Sequence, residues 1–304
     1  MKTEPKKQTP ELSKKSDRML PVLLLLILST SYFVSAATTI NPVNKYAYGA
    51  NLGWVNAYAD GANGAVIGEY VCSGHLYAAN VGWIKLGSGS PANGIQYQNN
   101  SATDYGVNHD GLGNLRGYAY GANIGWINFE STGGAKVDLL TGKLSGHAWS
   151  ANCGWISLSN TFAHVQTDTI APGADNDGDG MADAWELTYT NALTAFTATT
   201  DTDGDGVPDA QEYLADTSPL DPNDLLLITS AAFAPEGTNA NFTWLSKPTR
   251  FYHLEKTSDL AMPAWLDSGL GLITPDGATT TRAFDDTNAP ARFYRVRAVR
   301  PLAP

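Results

Sequence analysis

Aromatic and aliphatic residues alternate with small or polar ones in four similar segments of the chain. The segments are Y-A-Y-G-A-N-L-G-W-V from residue 46, L-Y-A-A-N-V-G-W-I from residue 76, Y-A-Y-G-A-N-I-G-W-I from residue 118 and A-W-S-A-N-C-G-W-I from residue 148. Alternation of period two predicts short β-strands, and N-x-G predicts a turn in which asparagine tolerates left-handed backbone. We therefore predict a four-unit β-repeat domain over residues 37–167, with about three strands per unit.

The repeat is a duplicated pair of units. The asparagines of the four turns are Asn51, Asn80, Asn123 and Asn152, so units one and three lie 72 residues apart, as do units two and four. Units of this kind share a core by stacking or by radial arrangement. A propeller, a prism or a barrel-like closure would each protect the strand edges, and the sequence leaves all three open.

Two sets of aromatic residues recur with the repeat. The first set follows the turn glycine and comprises Trp54, Trp83, Trp126 and Trp155. We expect these tryptophans to pack in the core, because the next residue is aliphatic and also favours burial. The second set precedes the turn and comprises Tyr48, Tyr77, Tyr120 and Trp149. These residues either pack inside or form exposed platforms for sugar rings, and both alternatives stay open.

The chain has two cysteines, Cys72 and Cys153. They could form a disulfide in an oxidising compartment, or each could pack as a small buried apolar residue. By the 72-residue offset, Leu144 corresponds to Cys72 and Val81 to Cys153. A disulfide between halves related by a pseudo-twofold axis would therefore require Leu144 to contact Val81.

Residues 225–304 show a second alternating pattern, from which we predict a β-sandwich. The strand candidates are 225–230, 240–245, 250–256, 264–266, 280–284 and 292–299. In the last one, Tyr294, Val296 and Ala298 would face one side, and Arg295 and Arg297 the other.

Two short helices are predicted between these β domains, at Asp183–Tyr189 and Asp209–Ala215. Apolar residues recur there at helical spacing, for example Trp185 with Tyr189. The sequence A-P-G-A at residues 171–174 excludes a helix that enters the first of these segments. Each unit is therefore a loop followed by a helix.

Each predicted helix begins inside an acidic loop. Residues 175–186 read D-N-D-G-D-G-M-A-D-A-W-E, and residues 201–212 read D-T-D-G-D-G-V-P-D-A-Q-E. Both match the calcium-loop pattern D-x-[DN]-x-[DN]-G-x5-E, in which alternate residues direct oxygens to one centre. A solvated acidic linker would explain neither this spacing nor its recurrence. We predict two Ca²⁺ sites, with ligands Asp175, Asp177, Asp179, Met181 (carbonyl), Asp183 and Glu186 in the first and Asp201, Asp203, Asp205, Val207 (carbonyl), Asp209 and Glu212 in the second.

The charge of the chain is concentrated in this segment. The whole chain has 30 acidic and 19 basic residues, and residues 169–224 contain 13 of the acidic residues and none of the basic ones. Two bound Ca²⁺ would cancel four of these charges, whereas without metal their repulsion would hold the segment open. No segment is basic enough to suggest nucleic acid as a partner.

The N-terminus has the pattern of an export signal. A Lys-rich stretch precedes an apolar run of about 14 residues and a small-residue cleavage site at residues 34–36. We predict a signal peptide over residues 1–36 and a secreted or cell-surface mature chain without a membrane span. The apolar run is shorter than the about 20 residues of a membrane span, and an uncleaved anchor is the alternative.

The acidic segment resembles the tandem calcium modules of dockerins and thrombospondin type 3 repeats. The resemblance covers residues 175–224 and is carried by D-G-D-G-M-A-D-A-W-E, D-T-D-G-D-G-V-P-D-A-Q-E-Y and D-T-S-P-L-D-P. The G-W-I units and the final F-Y-R-V are similar to repeats and C-terminal modules of exported bacterial proteins. These resemblances imply a mainly β, multidomain protein in which a short EF-hand-like calcium linker with two helices, residues 168–224, joins domains 37–167 and 225–304.

No motif of a reaction class is present: the sequence lacks G-x-S-x-G, H-E-x-x-H and a Walker loop. His75 and His147 occupy equivalent repeat positions and are expected to be structural. We therefore expect a non-enzymatic calcium-binding protein with a structural or adhesion role among surface or matrix components. Carbohydrate binding by the repeat aromatics, with polysaccharide as partner, is the alternative. A hydrolase that uses carboxylates such as Glu69 and Glu130 is a third hypothesis.

Overall fold

The computed structural model describes residues 37–233, 239–286 and 293–304. The predicted signal peptide lies outside the described residues. The described residues belong to one compact unit. Within the described part the protein is mainly β, with several sheets and two α-helices, which confirms the predicted fold class.

The repeat region is built from short antiparallel strands. Their bounds are β1 (Ile40–Gly49), β2 (Gly53–Asn56), β3 (Ser73–Ala78), β4 (Gly82–Ser88), β5 (Val107–His109), β6 (Leu115–Gly121), β7 (Gly125–Asn128), β8 (Lys136–Val137), β9 (Leu144–Ser145), β10 (His147–Ser150), β11 (Gly154–Ser157) and β12 (Val165–Thr167). A 3₁₀ turn covers Ser131–Gly133. Each of the four sequence units contributes one hairpin: β1–β2, β3–β4, β6–β7 and β10–β11.

The four hairpins form a closed ring. Strand β2 pairs with β3, β4 with β6 and β7 with β10, and β11 returns to pair with β1. The register at the four junctions is equivalent, with Asn56 opposite Tyr77, Lys85 opposite Tyr120, Asn128 opposite Trp149 and Ser157 opposite Tyr48. Of the three predicted architectures, the structure has the barrel-like closure, which leaves no unpaired edge in the ring.

The interior of the ring is filled by alternating residues of the hairpins. Val55, Ile84, Ile127 and Ile156 are buried on the second strand of each hairpin. Three of them lie opposite an alanine on the first strand. A closed sheet of eight strands has an interior just wide enough for side chains, so one β-branched residue paired with one small residue fills it.

The asparagines of the turns bond each hairpin to the preceding one. Their Nδ2 atoms donate to backbone carbonyls as follows: Asn80 to Leu52 (3.1 Å), Asn123 to Val81 (2.9 Å), Asn152 to Ile124 (2.9 Å) and Asn51 to Cys153 (3.3 Å). The last bond joins the first hairpin to the fourth, so the series of bonds is cyclic. The predicted N-x-G turns are present, and the left-handed backbone in them belongs to the glycine, for example Gly125 at φ 71°, and not to the asparagine.

The C-terminal region forms two three-stranded sheets that enclose one core. Its strands are β13 (Ile228–Phe233), β14 (Asn239–Leu245), β15 (Phe251–Thr257), β16 (Leu266–Asp267), β17 (Thr279–Asp285) and β18 (Phe293–Val299). The sheet orders are β13-β14-β17 and β16-β15-β18. As predicted for β18, Tyr294, Val296 and Ala298 contact the core. Arg295 and Arg297 bind Glu255 on the other face.

The two α-helices have the predicted bounds, α1 at Asp183–Tyr189 and α2 at Asp209–Ala215. No helix enters the first loop, which also agrees with the prediction. Among the described residues, no helix combines the length and the apolar character needed to cross a membrane.

Contacts between the regions are more extensive than expected of domains joined by a linker. The ring, the acidic segment and the sandwich each have a hydrophobic cluster. However, Leu302 near the C-terminus packs against the cluster of the ring, and its carbonyl accepts a hydrogen bond from Ile170 N–H (2.9 Å). Tyr70 of the repeat region packs against the cluster of the acidic segment. The C-terminal end of the chain, which follows the last strand of the sandwich, therefore contacts the ring.

We predict that Asn123→Ala lowers the free energy of unfolding by about 1 kcal/mol, because it removes one hydrogen bond between neighbouring hairpins. Ala122→Ser changes the exposed residue beside it and should leave stability within about 0.5 kcal/mol of wild type. Urea unfolding followed by tryptophan fluorescence measures both variants. Equal stability of the two variants would contradict a stabilising role for the asparagine bonds.

Candidate metal centres

The first acidic loop brings three aspartates together. Carboxylate oxygens of Asp175, Asp177 and Asp179 lie within 4.8 Å of one another. The loop folds around Asp175, whose two oxygens accept the N–H groups of Gly178 (2.8 Å) and Gly180 (3.0 Å). Gly180 has φ 95°, a backbone conformation that disfavours a Cβ, as the sixth position of the pattern requires.

The second loop repeats this geometry. Asp201, Asp203 and Asp205 have carboxylate oxygens within the same 4.8 Å limit. Asp201 accepts the N–H groups of Gly204 (2.8 Å) and Gly206 (3.0 Å), at the same relative positions as in the first loop. Because the same sequence pattern produces the same hydrogen bonds twice, the loop conformation is a property of the pattern.

The ninth position of each loop closes the loop through hydrogen bonds. Asp183, at the start of α1, accepts the backbone N–H of Asn176 (2.8 Å) and also its side-chain amide. Asp209, at the start of α2, accepts the N–H of Thr202 (3.0 Å) and the hydroxyl groups of Thr200 and Thr202. These hydrogen bonds hold each loop closed. The predicted ligand role of Asp183 and Asp209, directly or through water, stays a prediction.

The glutamates at the twelfth position are fully buried and lack partners for their charge. Neither oxygen of Glu186 has a hydrogen-bond partner within the described residues, nor has Oε2 of Glu212. One carboxylate oxygen in each of Asp179, Asp203 and Asp205 is likewise buried without a hydrogen-bond partner. Burial, followed by the charge of neighbouring aspartates, raises the pKa of Glu186 to about 8 and that of Glu212 to about 7.

These features define what the loops can do chemically. A buried carboxylate without a partner costs several kcal/mol, and a cation coordinated by it removes that cost. Two groups of three aspartates could therefore hold a metal ion. The carbonyl ligands predicted at Met181 and Val207 stay a prediction.

The two loops share one hydrophobic core. Trp185 of α1 packs edge-on against Tyr213 of α2, with ring centroids 5.5 Å apart. Phe196, from the connection between the helices, lies 5.5 Å from the same indole. Met181, in the first loop, belongs to the same buried cluster. The position of each loop is therefore tied to that of the other.

A buried arginine of the sandwich region joins all three regions, and the sequence did not reveal it. Arg250 donates to the carbonyls of Leu214 (2.9 Å) and Tyr213 (3.1 Å), at the C-terminal end of α2. Its Nη1 lies 3.1 Å from an oxygen of Glu69 in the repeat region. Arg300 lies 3.2 Å from the other oxygen of Glu69. No basic residue occurs in the last turn of α2, so Arg250 supplies the positive charge that a helix C-terminus favours.

All eight repeat aromatics lie on the outside of the ring. The second set, Tyr48, Tyr77, Tyr120 and Trp149, is 38–42% exposed. The tryptophans Trp54, Trp83, Trp126 and Trp155 are 45–49% exposed, so the expectation that they pack in the core is wrong. Within each strand, period-two alternation places the aliphatic neighbour inside and the tryptophan outside. We refer to these eight residues as the aromatic belt.

The cysteines and histidines have structural surroundings. Cys72 and Cys153 are both free and buried, so the disulfide considered from the sequence is not formed. The contact between Leu144 and Val81 that this disulfide would have required is therefore no longer expected. Burial raises the pKa of the Cys72 thiol to about 12. His75 and His147 pack edge-on against tryptophans of the belt.

The carboxylates considered for hydrolysis have separate partners. Glu69 is paired with Arg250 and Arg300 between the regions. Glu130 accepts the N–H of Gly117 (2.8 Å) and borders a surface cavity beside the belt. Glu69 and Glu130 therefore lie in different surroundings and, among the described residues, have no partner in common.

Comparison of the chain with known protein families, with curated proteins and with solved structures found no match.

We predict that Arg250→Met lowers the free energy of unfolding by about 3 kcal/mol, because it leaves carbonyls of α2 and part of the charge of Glu69 unpaired in the interior. The control is Arg282→Met, whose partner Asp276 is half exposed, and it should cost about 0–1 kcal/mol. Urea unfolding at a fixed calcium concentration compares the two variants. Similar losses in both would show that Arg250 does not join the regions.

Proposed function

We propose that each acidic loop binds one Ca²⁺ and that the bound ions hold the acidic segment in the conformation that joins ring and sandwich. The observation that carries this proposal is the complete burial of Glu186 and Glu212 with carboxylate oxygens that lack protein partners. A fold that buries such groups beside three further carboxylates is stabilised by a cation that neutralises their charge.

The donor chemistry favours calcium over other metals. The predicted ligands are carboxylate and carbonyl oxygens, which suit hard cations, and the loops contain no histidine or cysteine. Ca²⁺ accepts six to eight oxygens in a flexible geometry, including a bidentate glutamate at the last loop position. Mg²⁺ requires a near-octahedral site and keeps several waters, to which a loop with six predicted protein ligands and a bidentate glutamate is poorly suited.

Calcium in these loops would act on the whole molecule through α2. Glu212 is a residue of α2, and the carbonyls at the end of the same helix accept hydrogen bonds from Arg250. A cation held by Glu212 therefore stabilises the helix end that Arg250 and, through it, Glu69 contact. The resemblance to dockerin and thrombospondin type 3 modules also supports calcium-dependent ordering. The role that follows is structural, in an exported non-enzymatic protein of the cell surface or matrix.

We predict that chelation of calcium from the full mature protein lowers its melting temperature and exposes residues 170–224 to protease. At a free calcium concentration 100 times the Kd, each site contributes about 2.7 kcal/mol. Glu186→Gln should weaken calcium binding and reduce the difference in melting temperature between calcium-loaded and chelated protein, because an amide replaces the bidentate carboxylate. Asp221→Asn, an exposed acid outside both loops, is the control for charge and should change neither quantity.

Calorimetric titration with Ca²⁺ and thermal unfolding with and without chelator measure these effects. The proposal fails if chelation changes neither the melting temperature nor the protease sensitivity. Equal behaviour of Glu186→Gln and Asp221→Asn would show that the buried glutamate is not a ligand.

We propose carbohydrate binding by the aromatic belt as a second function. Its support is the exposure of all eight aromatic rings around one ring of strands. Contiguous exposed apolar surface marks interaction sites in soluble proteins, and tyrosine and tryptophan combine an apolar face with a polar edge. At three of the four junctions a polar side chain, Asn56, Lys85 or Ser157, lies opposite a belt tyrosine, and Asn128 lies opposite Trp149 at the fourth.

We predict that the protein is retained by an insoluble neutral polysaccharide and that removal of four belt residues abolishes this retention. The variant is Tyr48→Ala, Tyr77→Ala, Tyr120→Ala and Trp149→Ala combined. Phe162→Ala removes an aromatic residue that is 91% exposed and outside the belt, and it should bind like wild type. Pull-down on cellulose, chitin and mannan measures retention, and wild-type protein that none of them retains would contradict this function.

A further inference from the structure

We propose that the cavity between the third and fourth hairpins is a subsite for one uncharged pyranose ring. The inference rests on the second proposed function, carbohydrate binding by the belt. It assigns the main contact with the sugar to the part of the belt formed by Trp149 and Trp155. The cavity has a volume of about 210 Å³ and is lined by Asn128, Glu130, Thr132, Gly133, Trp149 and Trp155. Cavities for drug-sized ligands are about 300–1,000 Å³, so this one suits a single small ring.

The fourth hairpin differs from the others in its aromatic pair. In the first three hairpins the belt tyrosine packs edge-on against the tryptophan opposite it, with ring centroids 4.9–5.2 Å apart. In the fourth, Trp149 takes the place of tyrosine and is paired in register with Trp155. Within the described residues these two indoles make no ring contact with each other, and both border the cavity. The fourth hairpin thus offers two exposed indoles to a ligand where each of the other hairpins offers one.

The polar groups of the cavity are held in fixed orientations. Oδ1 of Asn128 accepts the backbone N–H of Glu130, which leaves its Nδ2 as a donor. One oxygen of Glu130 accepts the N–H of Gly117 (2.8 Å), which leaves the other as an acceptor. In the described part of the chain neither remaining group has a protein partner. A donor and an acceptor held beside two indoles match a ring that has an apolar face and hydroxyl groups at its edge.

The charge of the cavity selects against acidic sugars. Glu130 contributes a carboxylate, and no basic residue lines the cavity. A uronate bound there would place two negative charges close together, which is unfavourable in a partly desolvated site. An uncharged sugar can instead donate a hydroxyl hydrogen to the carboxylate, and such a charge-assisted hydrogen bond is stronger than a neutral one.

The first half of the repeat provides a natural comparison. By the 72-residue offset, Trp149 corresponds to Tyr77, Glu130 to Tyr58 and Thr132 to Asp60. The first pair of hairpins therefore lacks the second indole and the acceptor carboxylate at the equivalent place. Tyr77→Ala is consequently the comparison variant for Trp149→Ala, since both remove one exposed aromatic residue of the belt from the same repeat position, and only Trp149 borders the cavity.

The test uses the full mature protein with calcium present. Soluble hexaoses of β-1,4-linked glucose, N-acetylglucosamine and mannose, with hexagalacturonate as the acidic probe, are titrated by calorimetry. We expect wild type to bind at least one neutral probe and not the acidic one. Trp149→Ala should weaken binding at least tenfold and Glu130→Gln several-fold, and the loss for Trp149→Ala should exceed that for Tyr77→Ala at the equivalent belt position. Phe162→Ala, outside the belt, should bind like wild type. Trp149→Tyr introduces the residue that the other three hairpins have at this position, so we expect it to fold and to weaken binding about tenfold.

The outcomes separate this inference from the function on which it rests. If wild type binds a neutral hexaose and Trp149→Tyr and Trp149→Ala bind as tightly as Tyr77→Ala, the subsite is wrong and carbohydrate binding by the belt stands. If wild type binds none of the probes, both are wrong. Tighter binding of hexagalacturonate than of the neutral probes would overturn the assignment of an uncharged ligand. Urea unfolding of each variant establishes that lost binding is not lost folding.

Discussion

The arrangement of the three regions depends on one buried guanidinium group. Arg250 is 2% exposed, belongs to the sandwich region, and contacts the end of α2 and Glu69 of the repeat region at the same time. A charge in the interior is tolerated only when each of its donors is satisfied, so its partners must lie in fixed positions. This requirement makes the ring, the acidic segment and the sandwich parts of one unit.

The acidic segment is accordingly more than a stiff connection. Its two loops share a core through Trp185 and Tyr213, and Tyr213 also bonds to Arg300 through its hydroxyl (2.8 Å). Under the proposed function, calcium would influence the distant surfaces of the ring and the sandwich through these contacts. Burial of Glu186 and Glu212 is unfavourable without a cation. Bound calcium would remove this cost and thereby favour the compact form of the protein.

Local patterns in the sequence predicted the local structure closely. The bounds of both helices, the alternation of β18 and the clustering of aspartates in each loop follow from spacing alone, because they are set by neighbouring residues. The sequence failed where distant residues decide. The direction of Trp54 and its equivalents depends on ring closure, and the partners of Arg250 lie in regions far apart in the chain. The asparagine bonds could have been predicted from the sequence, since a polar residue repeated at one position of every unit indicates that each unit makes the same contact there.

The cyclic series of asparagine bonds has a consequence for the order of the chain. Each turn is bonded to its neighbour in the same way, and the bond from Asn51 to Cys153 is equivalent to the other three although it spans 102 positions. The junctions between hairpins are therefore the same whether or not the two hairpins are consecutive in the chain. A circularly permuted chain that began at the second hairpin and ended with the first would keep all four junctions. The hairpin, and not the order in which the hairpins are linked, is the unit from which this ring is made.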